Sequence, residues 1–218
     1  MALAIFDLDD TLIHGDSASL WSREMMRLGW VEDEDFLSLD QELMNAYSQG
    51  KLAMEDYMAF SLTPMVGRTV GNVAEAVAHF IKTVIDPLVY REARQTIARH
   101  KAAGDRLLVI SATGVHIVSP VAAHLGIDEV LAIDLEVQDG QFTGLTEGIL
   151  TYREGKVLRL SEWLRVQDEM LEGAFFYSDS RNDLPLLKLV DNTPLTSNRA
   201  PASHAPARTP AASGPGSR

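Results

Sequence analysis

Short segments rich in apolar residues occur at intervals along the chain and predict buried strands. They cover residues 2–6, 106–110, 129–137 and 174–177. An apolar segment without polar alternation, such as 2–6, is typical of a parallel strand that is covered on both faces. Stretches with helical spacing separate these strands, so the pattern predicts an α/β fold built on a doubly wound parallel sheet.

The segment between the first two strands has a different pattern. Residues 15–86 place apolar side chains at helical spacing, and breaks at Gly29, Gly50 and Pro64 divide them into four amphipathic stretches. Four short helices inserted after a first strand predict an added helical bundle. Most of the methionines lie in this segment, where they either pack between helices or line an adaptable pocket.

These patterns divide the chain into three parts. Residues 1–14 together with 87–197 are expected to form the α/β core domain, and residues 15–86 the helical cap. Residues 198–218 contain no leucine, valine, isoleucine or aromatic residue. Such a segment cannot bury enough apolar surface to offset its ordering entropy, so we expect it to be disordered.

The composition is that of an ordinary globular protein and excludes several functions. The chain has 218 residues, of which 46% are hydrophobic and 23% charged, with a formal net charge of −12. A body this acidic repels nucleic acids and anionic membranes, so neither is an expected partner. The absence of cysteine excludes disulfides, thiolate metal sites and a cysteine nucleophile. With no segment suited to a membrane helix or a signal peptide, we expect a cytoplasmic protein.

The first predicted strand is followed directly by two carboxylates. Asp7 and Asp9 belong to the segment DLDDT at 7–11, and side chains two residues apart in an extended chain point the same way. The carboxyl end of a strand is where open α/β sheets bind ligands. Two acids held there repel each other, and a divalent cation or a shared proton would relieve that cost.

Three further polar clusters occur at the ends of strands or the starts of helices. They are Ser111, Lys156 and the pair Asp179 and Asp183. Taken singly, each has an ordinary structural explanation: a helix-capping serine, a solvated lysine, and acids favoured by a helix dipole. Together with the first motif, and in this order, they resemble the haloacid dehalogenase (HAD) superfamily, in particular its phosphoserine-phosphatase-like members of subfamily IB with a C1 helical cap.

The resemblance covers residues 1 to about 190 and implies a Rossmann-like core with an inserted cap. Members of this family usually continue past the fourth motif with another strand and helix. The chain instead turns to a sequence rich in proline, alanine and serine. We therefore expect these terminal elements to be missing or replaced.

The resemblance also implies a mechanism for the clustered acids. Asp7 would attack phosphorus and become an aspartyl phosphate, and Asp9 would act as general acid and then as general base. Mg²⁺ would be bound by the Asp7 carboxylate, the Asp9 backbone carbonyl and Asp179. Asp183 would not contact the metal directly but would orient a metal-bound water or Lys156. All-oxygen ligation of this kind suits Mg²⁺.

Other residues are implied to hold the substrate. Ser111, the backbone near Ala112 and Lys156 would bind the phosphoryl oxygens as charge builds on them, and Asn182 is a further candidate. These groups would act on a small phosphorylated metabolite, whose phosphate they would transfer to Asp7.

The cap departs from the pattern of true phosphoserine phosphatases. Asp16 stands where those enzymes carry a glutamate that meets the substrate amine, so it remains a candidate substrate ligand. The region 50–61, where they carry an arginine for the substrate carboxylate, contains none, and Arg68 is the nearest later arginine. We therefore expect phosphoserine not to be the favoured substrate. Capped relatives that hydrolyse other small phosphomonoesters, histidinol phosphate among them, are equally plausible guides to the substrate.

Two other functions stay open at this point. The same fold supports phosphotransferases and mutases, which pass the phosphoryl group to another hydroxyl. A phosphorylatable-aspartate switch or a non-catalytic binding module would also use acids, a serine and a lysine at strand ends. The presence of Asp9 argues against the second alternative, because storing an acyl phosphate needs no additional acid–base group.

Overall fold

The computed structural model describes residues 2–49 and 51–190, and five strands in this part of the chain form one sheet. The strands are β1 (Leu3–Phe6), β2 (Arg106–Gly114), β3 (Glu129–Gln138), β4 (Gln141–Glu147) and β5 (Phe175–Tyr177). Their order is β4-β3-β2-β1-β5, and all neighbours are parallel except β3 and β4. The α/β class is confirmed, and the antiparallel β4 follows from the turn after β3.

The predicted disorder of 198–218 lies outside the described residues.

Helices cover both faces of this sheet, as a doubly wound fold requires. In the described residues they are α1 (Ser17–Arg27), α2 (Phe36–Ser48), α3 (Met54–Ser61), α4 (Val70–Phe80), α5 (Arg91–Ala103), α6 (Val115–His124), α7 (Glu154–Gln167) and α8 (Leu184–Leu187). A π-helical turn, Ile81–Ile85, extends α4. Helices α1 to α4 lie between β1 and β2, where the sequence predicts the inserted bundle.

Alternate side chains of β1 pack into two different apolar clusters. Ala4 and Phe6 join a large cluster with α5, α6 and the inserted helices. Leu3 and Ile5 join a smaller one on the opposite face, with α7 and α8. All four side chains are at most 1% exposed, because β1 lies between β2 and β5 and its successive side chains point to opposite faces, both of which are covered. This burial holds the carboxyl end of β1 rigidly in place.

Two short chain segments connect the inserted helices to the core, and they pair with each other. The backbone N–H of His14 donates to the carbonyl of Leu88 at 2.8 Å, and that of Tyr90 donates to Leu12 at 3.0 Å. The entry and exit of the insertion therefore lie side by side, close to the predicted boundaries at residues 14 and 87. The division into a core and a cap domain stays a prediction.

A buried carboxylate links three of the inserted helices. Asp40 on α2 accepts hydrogen bonds from the hydroxyl of Ser22 on α1, at 3.1 Å, and from that of Tyr57 on α3, at 3.3 Å. Asp40 is only 3% exposed, and the two hydrogen bonds offset the cost of burying its carboxylate. These contacts position the helices that cover the ends of the strands.

Strand β2 is longer than the apolar pattern predicts. It continues past Ile110 to Gly114, and its register with β3 shifts there: Ile110 pairs with Leu131, whereas Gly114 pairs with Ile133. Four residues of β2 thus span two residues of β3, which is a bulge. Bulges of this kind redirect backbone and side chains next to functional sites.

Helix α6 contains an internal proline. The helix begins at Val115, and Pro120 is its sixth residue. Proline in that position removes one backbone hydrogen bond. Burial of the apolar face of α6, including Val118 and Val121, offsets this loss.

Candidate active site

A cavity of about 320 Å³ lies where β1, β2 and β5 end, beneath helices α1 to α3. This is the edge of the sheet at which the predicted polar clusters meet, because parallel strands end on the same side. The predicted site residues that line it are Asp7, Asp9, Asp16, Ala112, Lys156, Asp179, Asn182 and Asp183. One predicted residue, Ser111, does not line the cavity.

Lys156 links two buried carboxylates at the base of this cavity. Its ammonium lies 3.0 Å from Oδ1 of Asp7 and 2.7 Å from Oδ1 of Asp183. Asp183 is held in turn by the Ser178 hydroxyl, which donates to its other oxygen at 2.6 Å. Lys156 is 3% exposed and Asp183 is 1% exposed, so these charges are shielded from water and interact strongly.

Burial next to other acids changes the protonation of Asp7. Burial raises the pKa of the Asp7 carboxyl to about 8, and the charges of Asp183 and Asp9 add to this effect, while Lys156 opposes it. The backbone N–H of Asp7 donates to the carbonyl of Tyr177 at 2.9 Å, which extends the pairing of β1 with β5 to this residue. The carboxylate thus sits on a fixed backbone in an environment that needs another positive charge.

Asp9 is held by two hydrogen-bond donors from different elements. The backbone N–H of Ser17 donates to its Oδ1 at 2.7 Å, and the Thr113 hydroxyl donates to its Oδ2 at 2.9 Å. Burial and the charge of Asp16 nevertheless raise the pKa of Asp9 to about 6, against the effect of these bonds. A carboxyl with a pKa near neutrality is suited to both donating and accepting a proton at physiological pH.

Thr11 connects the loops that follow β1 and β5. The backbone N–H of Asp179 donates to the Thr11 hydroxyl at 3.2 Å, and that hydroxyl donates to Oδ1 of Asp179 at 3.3 Å. Burial, together with the charge of Asp10, raises the pKa of Asp179. The last residue of the DLDDT segment therefore places Asp179 on the same cavity as Asp7.

The candidate metal ligands are few but chemically suitable. Among residues 2–49 and 51–190, no three His, Cys, Asp or Glu side chains lie close enough to form a metal site on their own. Mg²⁺ binds through one or two carboxylates and completes its shell with waters and substrate phosphate. Asp7 and Asp179, with the backbone carbonyl of Asp9, match that donor set, and burial raises the pKa of both carboxyls, an effect that a bound cation would oppose. Asp183 is instead engaged by Lys156.

The predicted phosphate ligands lie around the bulge of β2 and the loop after β5. Ser111 is fully buried, and its hydroxyl accepts from the backbone N–H of Thr113 at 3.1 Å. Ala112 lies on the cavity surface between them. Asn182 accepts from Nε of Arg153 at 3.4 Å through its side-chain carbonyl. The predicted role of each in binding phosphate stays a prediction.

Asp16 lies at the start of α1, beside the floor of the cavity. Its Oδ1 accepts from the backbone N–H of Ser19 at 2.7 Å, so it caps this helix. Burial raises the pKa of Asp16, and the charges of Asp40 and Asp10 add to this effect. The residue combines a structural role with a place on the cavity, and its role as a substrate ligand stays a prediction.

Much of the remaining lining of the cavity is apolar or aromatic and comes mainly from the inserted helices. We call this surface the apolar wall, and the cluster of Asp7, Asp9, Lys156, Asp179 and Asp183 the acidic floor. The apolar wall comprises Trp21, Met25, Met44, Tyr47, Met54, Tyr57, Met58, Leu62, His116, Ile117 and Tyr152. Four methionines of the inserted segment thus line a pocket, which was one of the two roles considered for them.

Three ring nitrogens in the apolar wall have no hydrogen-bond partner. They are Nε1 of Trp21 and both Nδ1 and Nε2 of His116, and all three are buried. Burial lowers the pKa of His116 to about 3, so its imidazole is neutral. Gly114 leaves room for this ring, because a Cβ at that position would lie 2.7 Å from Nδ1 of His116.

Several of the residues that organise the site were not predicted from the sequence. Thr11 belongs to the DLDDT segment and could have been found there. Ser17, Thr113 and Ser178 carry no signal in the chain, since a serine or threonine beside a strand or helix end has many ordinary roles. His116, on α6, is a further residue whose ring lines the cavity.

Sequence and structure comparisons place these features among known proteins. A family model described as haloacid dehalogenase-like hydrolase matches residues 4–188. A histidinol-phosphatase of Neisseria meningitidis serogroup C is 36% identical over 192 residues, which cover 86% of this chain and 86% of that protein. No helix among the described residues is both long and apolar enough to span a lipid bilayer.

Solved structures share the same architecture. A protein of unknown function from Bordetella pertussis Tohama I has a TM-score of 0.81 at 34% identity, with 88% of each chain covered. A substrate-bound phosphoserine phosphatase has a TM-score of 0.65 at 23% identity, which covers 88% of this chain and 84% of that one. At that identity the second likeness concerns the fold alone.

Proposed function

The chain belongs to the haloacid dehalogenase-like hydrolases, and we propose that it is a Mg²⁺-dependent phosphatase that hydrolyses a small phosphomonoester through an aspartyl-phosphate intermediate. The observation that supports this proposal is the arrangement of the acidic floor. Asp7 lies 3.0 Å from the Lys156 ammonium. Asp9 lines the same cavity and accepts hydrogen bonds from Ser17 and Thr113. A nucleophile, a cation and an acid–base group thus face one space large enough for a metabolite.

In the first step, an oxygen of Asp7 attacks the phosphorus of the monoester. The new oxygen–phosphorus bond forms as the ester bond to the alcohol breaks, and Asp9 gives its proton to the departing alkoxide oxygen. Lys156 stabilises the negative charge on Asp7 and on the phosphoryl oxygens near it. The pKa of Asp9, about 6, leaves a useful fraction of this carboxyl protonated near neutral pH.

In the second step, a water molecule attacks the phosphorus of the aspartyl phosphate. Asp9, now ionised, takes a proton from this water as the bond between Asp7 and phosphorus breaks. Inorganic phosphate leaves, and both carboxyls return to their starting states. The hydrogen bonds from Ser17 and Thr113 keep Asp9 in one orientation through both steps.

HAD phosphatases in general use a divalent metal ion. Here Asp7, Asp179 and the backbone carbonyl of Asp9 would hold it. When bound, Mg²⁺ supplies positive charge that neutralises the phosphoryl oxygens and lowers the raised pKa values of its carboxylate ligands. Lys156 and Ser178 keep Asp183 oriented behind these ligands.

The charges on the cavity restrict the alcohol that leaves. Its described lining contains six aspartates, and Lys156 is the one basic residue among them. Arg68 lies elsewhere, over the ring of Trp30 at 4.1 Å, and Arg153, whose Nε donates to Asn182, does not line the cavity. A leaving group with a carboxylate would therefore lack a cationic partner. This favours an amino alcohol phosphate such as histidinol phosphate, the substrate named for the Neisseria relative, over phosphoserine.

A phosphate-release assay tests the proposal. Wild-type protein is incubated with histidinol phosphate, phosphoserine and p-nitrophenyl phosphate, with Mg²⁺ or with EDTA. We expect metal-dependent release that is fastest from histidinol phosphate, and a loss of about 10⁴-fold on Asp7→Asn, as for removal of a nucleophile. Asp139→Asn, in the exposed turn between β3 and β4, is the matched control and should retain most activity.

The outcomes separate the alternatives considered for this chain. A phosphotransferase or mutase would consume the substrate while releasing little inorganic phosphate. A binding or switch protein would take up phosphate once and not turn over. Full activity of Asp7→Asn would disprove the proposed nucleophile, and phosphoserine hydrolysis as fast as that of histidinol phosphate would disprove the argument from charge.

A further inference from the structure

The turn that precedes Lys156 has an arginine in a backbone conformation that favours glycine. Arg153 has a φ of 47° and a ψ of −116°, and the backbone N–H of Gly155 donates to the carbonyl of Tyr152 at 2.8 Å. These are the features of a type II′ turn, in which the first central position is dominated by glycine. A residue with a Cβ is strained there, so the turn alone does not account for an arginine at this position.

The turn is joined to the loop after β5 at two points. The ammonium of Lys156, whose backbone N–H donates to the carbonyl of Arg153 at 3.1 Å, lies 2.7 Å from Oδ1 of Asp183. Asn182, the residue before Asp183, accepts from Nε of Arg153 at 3.4 Å. The first of these contacts belongs to the acidic floor, and the second lies directly beside it.

The guanidinium of Arg153 is itself held by an aromatic ring. Its central carbon lies 4.8 Å from the centre of the Tyr152 ring, a distance at which a cation and a ring face attract each other. The Tyr152 ring in turn lies 5.0 Å from that of Tyr47 on α2. Tyr152 and Asn182 line the cavity, whereas Arg153 does not, so Arg153 influences the site through these two neighbours.

The amide of Asn182 has two ends of opposite polarity. Its carbonyl oxygen is an acceptor, and its nitrogen offers two N–H donors. Because phosphoryl oxygens are acceptors, only the nitrogen end can stabilise them. The hydrogen bond from Arg153 engages the carbonyl end and thereby selects one of the two amide orientations. The bond is long at 3.4 Å, and hydrogen bonds at catalytic sites often shorten once the substrate is bound.

We propose that Arg153 is a positioning residue of the phosphatase: held between Tyr152 and Asn182, its guanidinium orients the Asn182 amide so that the N–H groups meet the phosphoryl oxygens of the substrate. The inference rests on the proposed phosphatase function and adds a residue to the same site. Negative charge on the phosphoryl oxygens builds in the transition state, so the effect falls on kcat more than on KM. It is the same for every monoester, because all share the phosphoryl group.

Arg153→Gly tests this role, because it removes the guanidinium and gives the turn the residue that its backbone favours. Phosphate release is measured with histidinol phosphate and with p-nitrophenyl phosphate. We expect kcat to fall by about 10- to 100-fold on both substrates, with KM within about threefold of the wild type. The melting temperature should equal or exceed that of the wild type, because relief of backbone strain offsets the lost side-chain contacts.

A double-mutant cycle shows whether Arg153 acts through Asn182. Asn182→Ala should lower kcat by about 100-fold, as for loss of one donor to the phosphoryl oxygens. Adding Arg153→Gly to it should change kcat by less than about threefold, since residues that act through one another are not additive. Asp168→Gly is the matched control: Asp168 is exposed, has a φ of 51° and lies at the other end of α7, so this substitution should leave kcat unchanged.

Four results would overturn the positioning role while leaving the phosphatase intact. They are a wild-type kcat in Arg153→Gly, a wild-type kcat in Asn182→Ala, losses that add in the double variant, and a loss confined to KM. A lowered melting temperature of Arg153→Gly would show that the side chain serves the fold, and would also overturn it. If the wild type releases no phosphate from either substrate, the proposed function itself fails.

Discussion

The acidic floor and the apolar wall face the same cavity but are built in opposite ways. In the floor, the side chains of Asp7, Lys156 and Asp183 are joined by ion pairs of 3.0 and 2.7 Å. In the wall, the ring nitrogens of Trp21 and His116 have no partner. The ion pairs of the floor hold its side chains in one geometry, whereas the wall is held by packing of apolar and aromatic side chains.

This difference separates the two tasks of the site. In the proposed mechanism the floor acts on the phosphoryl group, which is the same in every monoester, so its substitutions should affect all substrates alike. The wall would contact the alcohol, which differs between monoesters, so its substitutions should affect substrates selectively. The methionine side chains of the wall, such as Met54 and Met58, have the flexibility that adaptation to a ligand needs.

Replacing Lys156 is expected to have the largest effect. Lys156→Met removes the cation between Asp7 and Asp183 and should lower kcat for every substrate by about 100-fold or more. It also leaves two buried carboxylates without a partner, which should lower the free energy of unfolding by about 3–5 kcal/mol. Enzyme kinetics on two unrelated monoesters, with chemical denaturation, measure both effects.

Lys82→Met is the control for this substitution, because Lys82 is exposed on the π-helical turn after α4. It should change neither activity nor stability. If Lys156→Met instead weakened hydrolysis of one substrate and spared another, the distinction between floor and wall would be wrong.

Adding one methyl group at Gly114 should affect the wall selectively. Its φ allows alanine, but the new Cβ would lie 2.7 Å from Nδ1 of His116 and force that ring to move. Gly114→Ala should therefore lower kcat/KM for histidinol phosphate by about tenfold, with a smaller change for p-nitrophenyl phosphate. Gly71→Ala, where no atom lies within 4 Å of the new Cβ, should leave both values unchanged. An equal loss of kcat/KM on both substrates would show that Gly114 affects the acidic floor and not the apolar wall.

The smallest expected effect concerns the pH profile. The Thr113 hydroxyl donates to Asp9 and favours its ionised form, so Thr113→Val should raise the pKa of Asp9 above its present value of about 6. A hydrogen bond to a charged group is worth about 1.5 kcal/mol, which corresponds to about one pKa unit. Whichever proton transfer limits the rate, the limb of the kcat profile that reports Asp9 should move to higher pH.

A titration of activity between pH 4 and 9 on two substrates measures this shift. Thr143→Val on β4, away from the cavity, provides the comparison and should leave the profile in place. A limb that stays fixed, or moves to lower pH, would show that Asp9 is not the group that titrates there.

The local features of the fold were predictable from the chain itself. Leu3–Phe6 is a strand because its residues are apolar and lack polar alternation, and α1 begins after Asp16 because that carboxylate caps the helix. The DLDDT segment follows β1 directly, so the place of Asp7 and Asp9 at a strand end required no knowledge of distant residues. These features depend on interactions within a few residues, which the sequence displays.

The partners in the site were decided by the tertiary structure. Lys156 reaches Asp7 across 149 residues of chain, and Thr113 reaches Asp9 across 104. The register shift of β2 that carries Thr113 arises from its pairing with β3, which the apolar pattern does not reveal. Trp21 and His116 meet because the inserted helices pack on the core. Such contacts depend on how whole elements are placed by burial of their apolar faces, and no local pattern encodes that placement.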